Sequence, residues 1–221
     1  MREVLDNNPQ KETREKFLDR IKQLPQDDIR TIDMAYDLAK EGHRIQKRDS
    51  GERYFEHVRS VAIILIDECK ILDPDLIISA LLHDTVEDSP IFGNSTQKYS
   101  IWKETVSFRL KKIFNSKVAE HVITLTKPKF DGEEIVSKQQ ANQIYMKNLE
   151  SSSPETILIK MCDRLHNTRT LHSTTPEKQA RKAKETIEEY FSLFKSIEPY
   201  YPTQYCYLKE QINIELNKLN N

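Results

Sequence analysis

Residues 81–88 read Leu-Leu-His-Asp-Thr-Val-Glu-Asp. Four side chains able to hold a metal or move a proton, His83, Asp84, Glu87 and Asp88, follow directly on an apolar run at 76–82. On a helix His83 and Glu87 are i,i+4 neighbours, and so are Asp84 and Asp88. Buried charge is costly unless it is paired or binds a metal. An apolar helix that ends in this cluster therefore points to a cation site; the plainer alternative is a helix end fraying into solvent. His57, at the start of another apolar segment, and Asp163, after a third, extend the set. Taken alone, His57 reads more simply as a core histidine whose environment tunes its charge. Taken together, two imidazoles and two carboxylates suit a transition metal such as Mn, Fe or Zn better than Ca. Such an ion binds a phosphoryl oxygen and acidifies a water. Glu87 and Asp88, one turn on, are then placed to orient or deprotonate that water, and nearby Arg and Lys to hold the remaining phosphate charge.

These residues need helices to position them. Phe17, Leu18, Ile21 and Leu24 repeat at helical spacing within 11–24, where Pro25 ends the pattern. Ile29, Ile32, Ala35, Tyr36 and Ala39 mark a second helix that stops near Gly42. A polar loop at 44–53 carries Arg44, Lys47 and Arg48. The spacing predicts a third helix over 54–69 with His57 near its start. Asp73-Pro74 is a strong helix start, with Asp as N-cap and Pro at the first position, and launches the helix that ends at His83. A loop is expected at 90–97, then helices over 100–114 and 116–127, the second capped by Ser116. The pattern breaks at 128–132, and Lys127 and Lys129 read as solvated. Ser153-Pro154-Glu155 starts the helix that carries Asp163, Asn167 and Thr170 on one face. Thr175-Pro176-Glu177 starts a further helix, with Ile187, Tyr190, Phe191 and Phe194 at core spacing, and 203–219 is a last helix. No run of alternating strands is visible. The fold class is all-α, with about eight to ten helices.

The chain has 221 residues, enough for one good core, so a single domain over 1–221 is expected. Lys and Arg number 34 against 35 Asp and Glu, a balance that gives no reason to expect a nucleic-acid or membrane partner. Only 4 glycines and 31% charged residues favour helix over turn-rich sheet. The longest apolar stretch, 61–66, is far short of a membrane span, and the polar start reads as lacking a signal peptide. Cys69, Cys162 and Cys206 are widely separated in sequence, without C-x-x-C spacing. That fits a reducing, cytoplasmic setting.

The order His57, His83-Asp84, Asp163 resembles that of the HD phosphohydrolase superfamily. Three stretches sharpen the likeness: Arg48-Asp49-Ser50-Gly51-Glu52-Arg53-Tyr54-Phe55-Glu56-His57, then Ala80 through Asp88, then Leu158 through Thr170 with Asp163-Arg164-Leu165-His166-Asn167 at its centre. All three resemble the hydrolase domain of the RelA/SpoT homologues, including its stand-alone small alarmone hydrolases. The likeness covers about residues 27–198, leaving 11–24 and 203–219 as flanks, and no synthetase domain is expected to follow. It implies an HD-domain helical bundle that hydrolyses the 3′-diphosphate of guanosine tetra- and pentaphosphate, giving GDP or GTP and pyrophosphate. It implies one Mn2+ held by His57, His83, Asp84 and Asp163. Glu87 and Asp88 would act on the water, and Arg48, Ser50, Asn167 and Thr170 would bind the nucleotide. His166 would hydrogen-bond structurally rather than bind metal. The expected partner is a small guanosine nucleotide, with a homo-oligomer left open. Three positions depart from the family pattern: Asp49 stands where Lys is usual, Arg53 where Pro is usual, and Thr168 where Met is common. The Asp49 change keeps two alternatives open, another nucleotide substrate such as the 2′-phosphate of NADPH, or a nucleotide-binding module without turnover.

Overall fold

The computed structural model describes residues 12–93, 99–127 and 137–219. At its centre lies α4 (Pro74–Leu82), buried at every position from Leu76 to Leu82. A helix that is apolar all round has no solvent face to offer. It is accordingly enclosed by α2 (Gln26–Gly42), α3 (Tyr54–Ile63), α7 (Ser116–Leu125) and α9 (Pro154–Arg169). Asp73 caps α4 as its sequence predicts, its Oδ1 accepting the Leu76 N–H at 3.1 Å, with Pro74 in the first turn. Ser153 and Pro154 start α9 in the same way. The buried α4 thus delivers His83 and Asp84 to a fixed place, after which a single turn, α5 (Thr85–Asp88), carries Glu87.

Around this centre α1 (Arg14–Arg20) inserts Phe17 and is tied to α2 by Arg14, which bonds Asp33 at 2.7 Å and Asp37 at 2.9 Å. α6 (Tyr99–Ile113) packs on α7. α8 (Lys138–Glu150) follows, then α10 (Pro176–Glu185), α11 (Phe191–Phe194) and α12 (Pro202–Lys218). Among the described residues, extended pairing is confined to an isolated antiparallel bridge between Lys47 and Arg53. The all-α expectation holds.

Several local expectations need correction. The stretch 54–69 is not one α-helix: its last turn, Ile64–Glu68, is a π turn, with the Cys69 N–H reaching Ile64 O at 3.0 Å. The α7 cap is Asn115, not Ser116. Asn115 has extended backbone and its Oδ1 accepts the Val118 N–H at 3.0 Å, whereas Ser116 is already helical. The helix stops at Leu125 rather than 127. Ile187 is 54% exposed. A second π turn, Thr186–Tyr190, follows α10, and its wider winding leaves Tyr190 and Phe194 buried while Ile187 faces out. Cys69 and Cys162, far apart in sequence, meet in the core with sulfurs 3.8 Å apart, both as free thiols. Helix α8 had no counterpart in the sequence reading, although Ser137 and Gln140 form a capping box at its start. The break expected at 128–132, with Lys129, lies outside the described residues, as do 94–97 of the expected loop.

Two glycines matter to the site. Gly42 ends α2 against α5, where a Cβ would stand 2.7 Å from Thr85 Cγ2 and 2.9 Å from Ser89 Oγ. Gly51 has φ +83°, a left-handed conformation that an L side chain rarely adopts. It closes the tight turn that presents Arg48 and Ser50, with the Gly51 N–H bonded to Arg48 O at 2.9 Å.

The π turn after α3, α9 and α12 are joined by Glu68, which accepts from Arg169 at 2.6 and 2.8 Å and from the Tyr207 hydroxyl at 2.6 Å. Burial, the largest influence, pushes the Glu68 carboxyl up, but those hydrogen bonds outweigh it and hold the group below its ordinary 4.5. Glu185, buried beside Arg164 and Lys182, is lowered in the same sense. A carboxylate whose folded pKa is depressed contributes stability above its unfolded pKa and loses it as pH falls through the folded value. The melting temperature is therefore expected to fall as pH drops below 4.5, with a shallower fall in Glu68→Gln. At neutral pH that variant should cost about 1–2 kcal/mol, the scale of partly exposed charge-assisted hydrogen bonds. Thermal melts across pH check both points; parallel pH profiles for the two proteins would contradict the assignment.

Candidate active site

Three helices converge on one buried cluster. α3 brings His57, the end of α4 brings His83 and Asp84, and α9 brings Asp163. His57, His83 and Asp163 each place one ligand atom within 4.8 Å of the others. Asp84 joins them through Oδ2, 3.4 Å from His57 Nε2 and 3.3 Å from His83 Nε2. Asp163 Oδ1 lies 3.2 Å from His57 Nε2 and 3.7 Å from His83 Nε2. Both imidazoles are buried.

The outer contacts fix each of these groups. The His83 ring donates to Ala80 O through Nδ1 at 2.8 Å, which leaves Nε2 facing the cluster. His83 Nε2 is buried and has no hydrogen-bond partner. His57 meets His166 through their Nδ1 atoms at 2.8 Å, which leaves His57 Nε2 toward the carboxylates. Burial and the His57 and Arg48 charges push His166 down to about 2, so it stays neutral in this contact. The Tyr54 hydroxyl donates to Asp84 Oδ2 at 2.8 Å. On Asp163, Asn167 Nδ2 donates to Oδ1 at 2.6 Å and Lys160 Nζ to Oδ2 at 2.8 Å.

The electrostatics favour positive charge between these atoms. Burial works against a proton on His83, but Asp84 and Asp163 outweigh it and push its pKa up to about 10. Burial likewise opposes charge on Asp84 and Asp163, yet the imidazoles, and for Asp163 first of all Lys160, hold both carboxyls well below the usual range. A cation at the centre would take the place of that proton. A buried imidazole nitrogen with no hydrogen-bond partner beside two depressed carboxylates fits a transition-metal ion.

Beside the cluster opens a cleft of about 390 Å3 whose wall carries more basic than acidic side chains. Asp84 and Asp163 form part of its floor. Arg48 reaches across it from the loop, Nη2 donating to Asn167 Oδ1 at 2.8 Å and Thr170 Oγ1 at 3.1 Å, with its guanidinium 5.8 Å from the Tyr54 ring centre. Three of the residues singled out for nucleotide binding are thus brought together, and Ser50 lines the same cleft. Glu87 also lines it, held by the Lys127 backbone N–H, which donates to Oε2 at 2.9 Å. Asp88 is half-buried next to it and is not among the cleft-lining residues. Its backbone carbonyl accepts from Gln46 at 2.6 Å. Lys127, expected to be solvated, lies on the cleft wall. Asp49 ion-pairs with Lys178 of α10 at the rim.

Sequence reasoning missed part of this wall. Lys160 lies one turn before Asp163 and Arg164 directly follows it; with Asn167 the four fall at i, i+3, i+4 and i+7, so their spacing did carry the signal. Arg164 stacks on Tyr190, 3.8 Å from the ring centre, and bonds Glu185 at 3.1 Å. Tyr145 comes from α8 and stood outside any recognised pattern.

The model of the HD domain matches residues 35–195. This chain belongs to the HD-domain family. The match covers all four candidate metal ligands and all but the outer helices. The chain is also similar to the bifunctional (p)ppGpp synthase/hydrolase SpoT of Escherichia coli K12, 33% identical over 206 residues, 86% of this chain and 27% of that protein. It is 36% identical over 162 residues to the guanosine-3′,5′-bis(diphosphate) 3′-pyrophosphohydrolase of Aquifex aeolicus, covering 73% of this chain and 21% of the relative. A GTP pyrophosphokinase of Myxococcus xanthus is 38% identical over 173 residues, 76% of this chain and 21% of its own. The chain therefore spans about a quarter of the length of these relatives. A solved structure of a metazoan ortholog of SpoT that hydrolyzes ppGpp shares the fold, with a TM-score of 0.60 at 24% identity over 85% of this chain and 94% of that one.

If the cluster is a metal site, His83→Ala should abolish stoichiometric uptake of Mn2+ while helical content persists. Elemental analysis after desalting, with circular dichroism on the same sample, checks this. Full occupancy in the variant would remove His83 from the ligand set.

Proposed function

We propose that this domain hydrolyses the 3′-diphosphate of guanosine tetra- and pentaphosphate, releasing pyrophosphate and leaving GDP or GTP. The observation that carries the reading is the buried group of His57, His83 and Asp163, with Asp84 against both imidazoles, opening directly into a basic cleft. The names borne by the Escherichia coli and Aquifex aeolicus relatives supply the substrate class. In this reading His57, His83, Asp84 and Asp163 hold one Mn2+. Bound there, the ion supplies polarisation of a phosphoryl oxygen and a water acidic enough to react at neutral pH.

The protein's own residues do the rest. Water adds to phosphorus, the bond from phosphorus to the 3′-oxygen breaks, and the nucleoside keeps a 3′-hydroxyl. Glu87, anchored by the Lys127 N–H at the cleft wall, takes the proton from that water. Asp88, beside it, helps to place that water through its charge, which reaches the Tyr54 side of the site. Arg48, with Asn167 and Thr170 as its rests, closes over the nucleotide and offers a forked donor to phosphate. Ser50, on the Gly51 turn, contributes its hydroxyl at the same wall. We also infer a reducing cytoplasmic setting, which agrees with the three free thiols.

The deciding experiment incubates the Mn2+-loaded protein with guanosine tetraphosphate, guanosine pentaphosphate, NADPH, GTP and ATP, with products resolved by ion-exchange chromatography. Pyrophosphate and GDP from the tetraphosphate are expected. Phosphate release from NADPH alone would move the assignment to a 2′-phosphatase, and binding without any product would make the domain a sensor.

Three substitutions sharpen the roles. Glu87→Gln should keep its metal and lose about 10²–10⁴-fold in kcat, the usual contribution of a positioned general base. Asp88→Asn should lose less, since Asp88 does not line the cleft. Arg48→Ala should raise KM more than it lowers kcat, as loss of uniform binding does. Steady-state kinetics on metal-checked samples read all three, and wild-type kcat in Glu87→Gln would leave water activation to the metal alone.

A further inference from the structure

Lys160 is the cleft residue whose surroundings ask most for a role. Its ammonium lies 2.8 Å from Asp163 Oδ2, with side-chain exposures of 12% and 5% for the two residues. It also sits 5.4 Å from the Tyr145 ring centre and 5.8 Å from that of Tyr190. Tyr145 is itself fixed by its hydroxyl, which donates to Leu125 O at 3.1 Å. The end of α7, α8, α9 and the turn after α10 therefore all meet around this one ammonium group. A half-buried lysine between two aromatic rings and a carboxylate has its charge satisfied and its position set.

The consequence falls on Asp163. Its Oδ2 is engaged by Lys160, and its Oδ1 accepts from Asn167 while facing both imidazoles. Held at both oxygens, the carboxylate cannot turn, and only Oδ1 is offered to an ion. The Lys160 charge also cancels part of the negative charge that such an ion would feel. We propose that Lys160 is a positioning residue that locks Asp163 as a one-oxygen ligand and weakens the site's hold on its cation below what its four donors would give unaided. The proposal rests on the reading of His57, His83, Asp84 and Asp163 as metal ligands.

The sign of the effect sets it apart from a structural role. Loss of a merely structural lysine would loosen Asp163 and weaken metal binding. Loss of a charge-balancing lysine leaves an uncompensated carboxylate beside a dication. The test is direct Mn2+ affinity, read by competition with a fluorescent chelator, for wild type, Lys160→Met, Lys160→Gln and Lys160→Arg. Lys160→Gln keeps a hydrogen-bond donor without the charge, and Lys160→Arg keeps the charge. The two neutral variants should bind Mn2+ more tightly by about tenfold or more, the least expected of a unit charge at this range in a partly buried site. Lys160→Arg should stay close to wild type. Circular dichroism checks folding, and if Lys160→Met does not fold, the Gln and Arg variants decide.

Unchanged or weaker Mn2+ binding in the folded neutral variants overturns the proposal. A raised KM for the nucleotide at unchanged Mn2+ affinity also overturns it, and makes Lys160 a phosphate contact. His83→Ala is run alongside. Wild-type Mn2+ affinity in that variant would strike the metal-site reading itself, a failure distinct from any result at Lys160.

Discussion

Two imidazoles and the Asp163 carboxylate are buried, with Asp84 half-buried against them, where α3, α4 and α9 meet, and the rest of the structure answers to that fact. Burying ionised groups is costly unless they are paired and their remaining lone pairs are used. Here the pairing is internal. Asp84 meets both imidazoles and the Tyr54 hydroxyl, and Asp163 meets them together with Asn167 and Lys160. One atom is left over, His83 Nε2, buried and without a hydrogen-bond partner. The carboxylates make His83 hold a proton up to about pH 10, which is the protein's substitute for a cation. A metal ion in place of that proton would leave the His83 bond to Ala80 O intact, because it runs through the other ring nitrogen.

Such a site tolerates little movement, and the packing is arranged accordingly. α4 is buried all round and so cannot roll. α9 is buried over its first half and then turns its polar face, from Lys160 to Thr170, into the cleft. Each of the two π turns widens a helix next to the site. The first directs Glu68 to Arg169 at the end of α9, and the second directs Tyr190 inward under Arg164 and beside Lys160. A π turn inside a helix is rarely the lowest-energy local choice. Here both are compensated by contacts to the same helix that carries Asp163. His43 does comparable work at the other wall, bonding Gln46 at 2.6 Å and Thr85 at 3.2 Å while stacking on Tyr54.

Most of the helices could be read from the sequence because their signals are local. Asp73-Pro74, Ser153-Pro154 and Thr175-Pro176 each cap a helix where the residue types say they should. The gathering of His57, His83, Asp84 and Asp163 rested on motif order, since nothing local says that α3, α4 and α9 converge. What escaped was set by winding or by weak periodicity. Ile187 has core spacing for an α-helix, but a π turn adds a residue and faces it outward. Helix α8 has a capping box at Ser137 and a narrow stripe of Ala141, Tyr145 and Leu149, but most of its other positions are polar and mask that signal. With α8 unread, Tyr145 and the box around Lys160 could not be foreseen. Lys127 was read as solvated on residue type alone, whereas the end of α7 places it on the cleft wall beside Glu87.

The Asp49 departure can now be weighed. The usual Lys at that position would add a cation at the rim; Asp49 instead takes Lys178 from α10. The two side chains are 54% and 41% exposed, so their attraction is screened and weak. A rim pair of that strength yields readily to a polyphosphate, and Lys178 remains at the cleft as a cation. Selectivity at the cleft therefore falls to groups deeper in the wall. Arg48 is aligned by two hydrogen bonds to α9, and one of its partners, Asn167, also holds Asp163. Through Asn167 the Arg48 side of the cleft and the imidazole–carboxylate cluster share a single hydrogen-bonded chain, so a ligand that shifts Arg48 also acts on the Asp163 oxygen that faces the imidazoles.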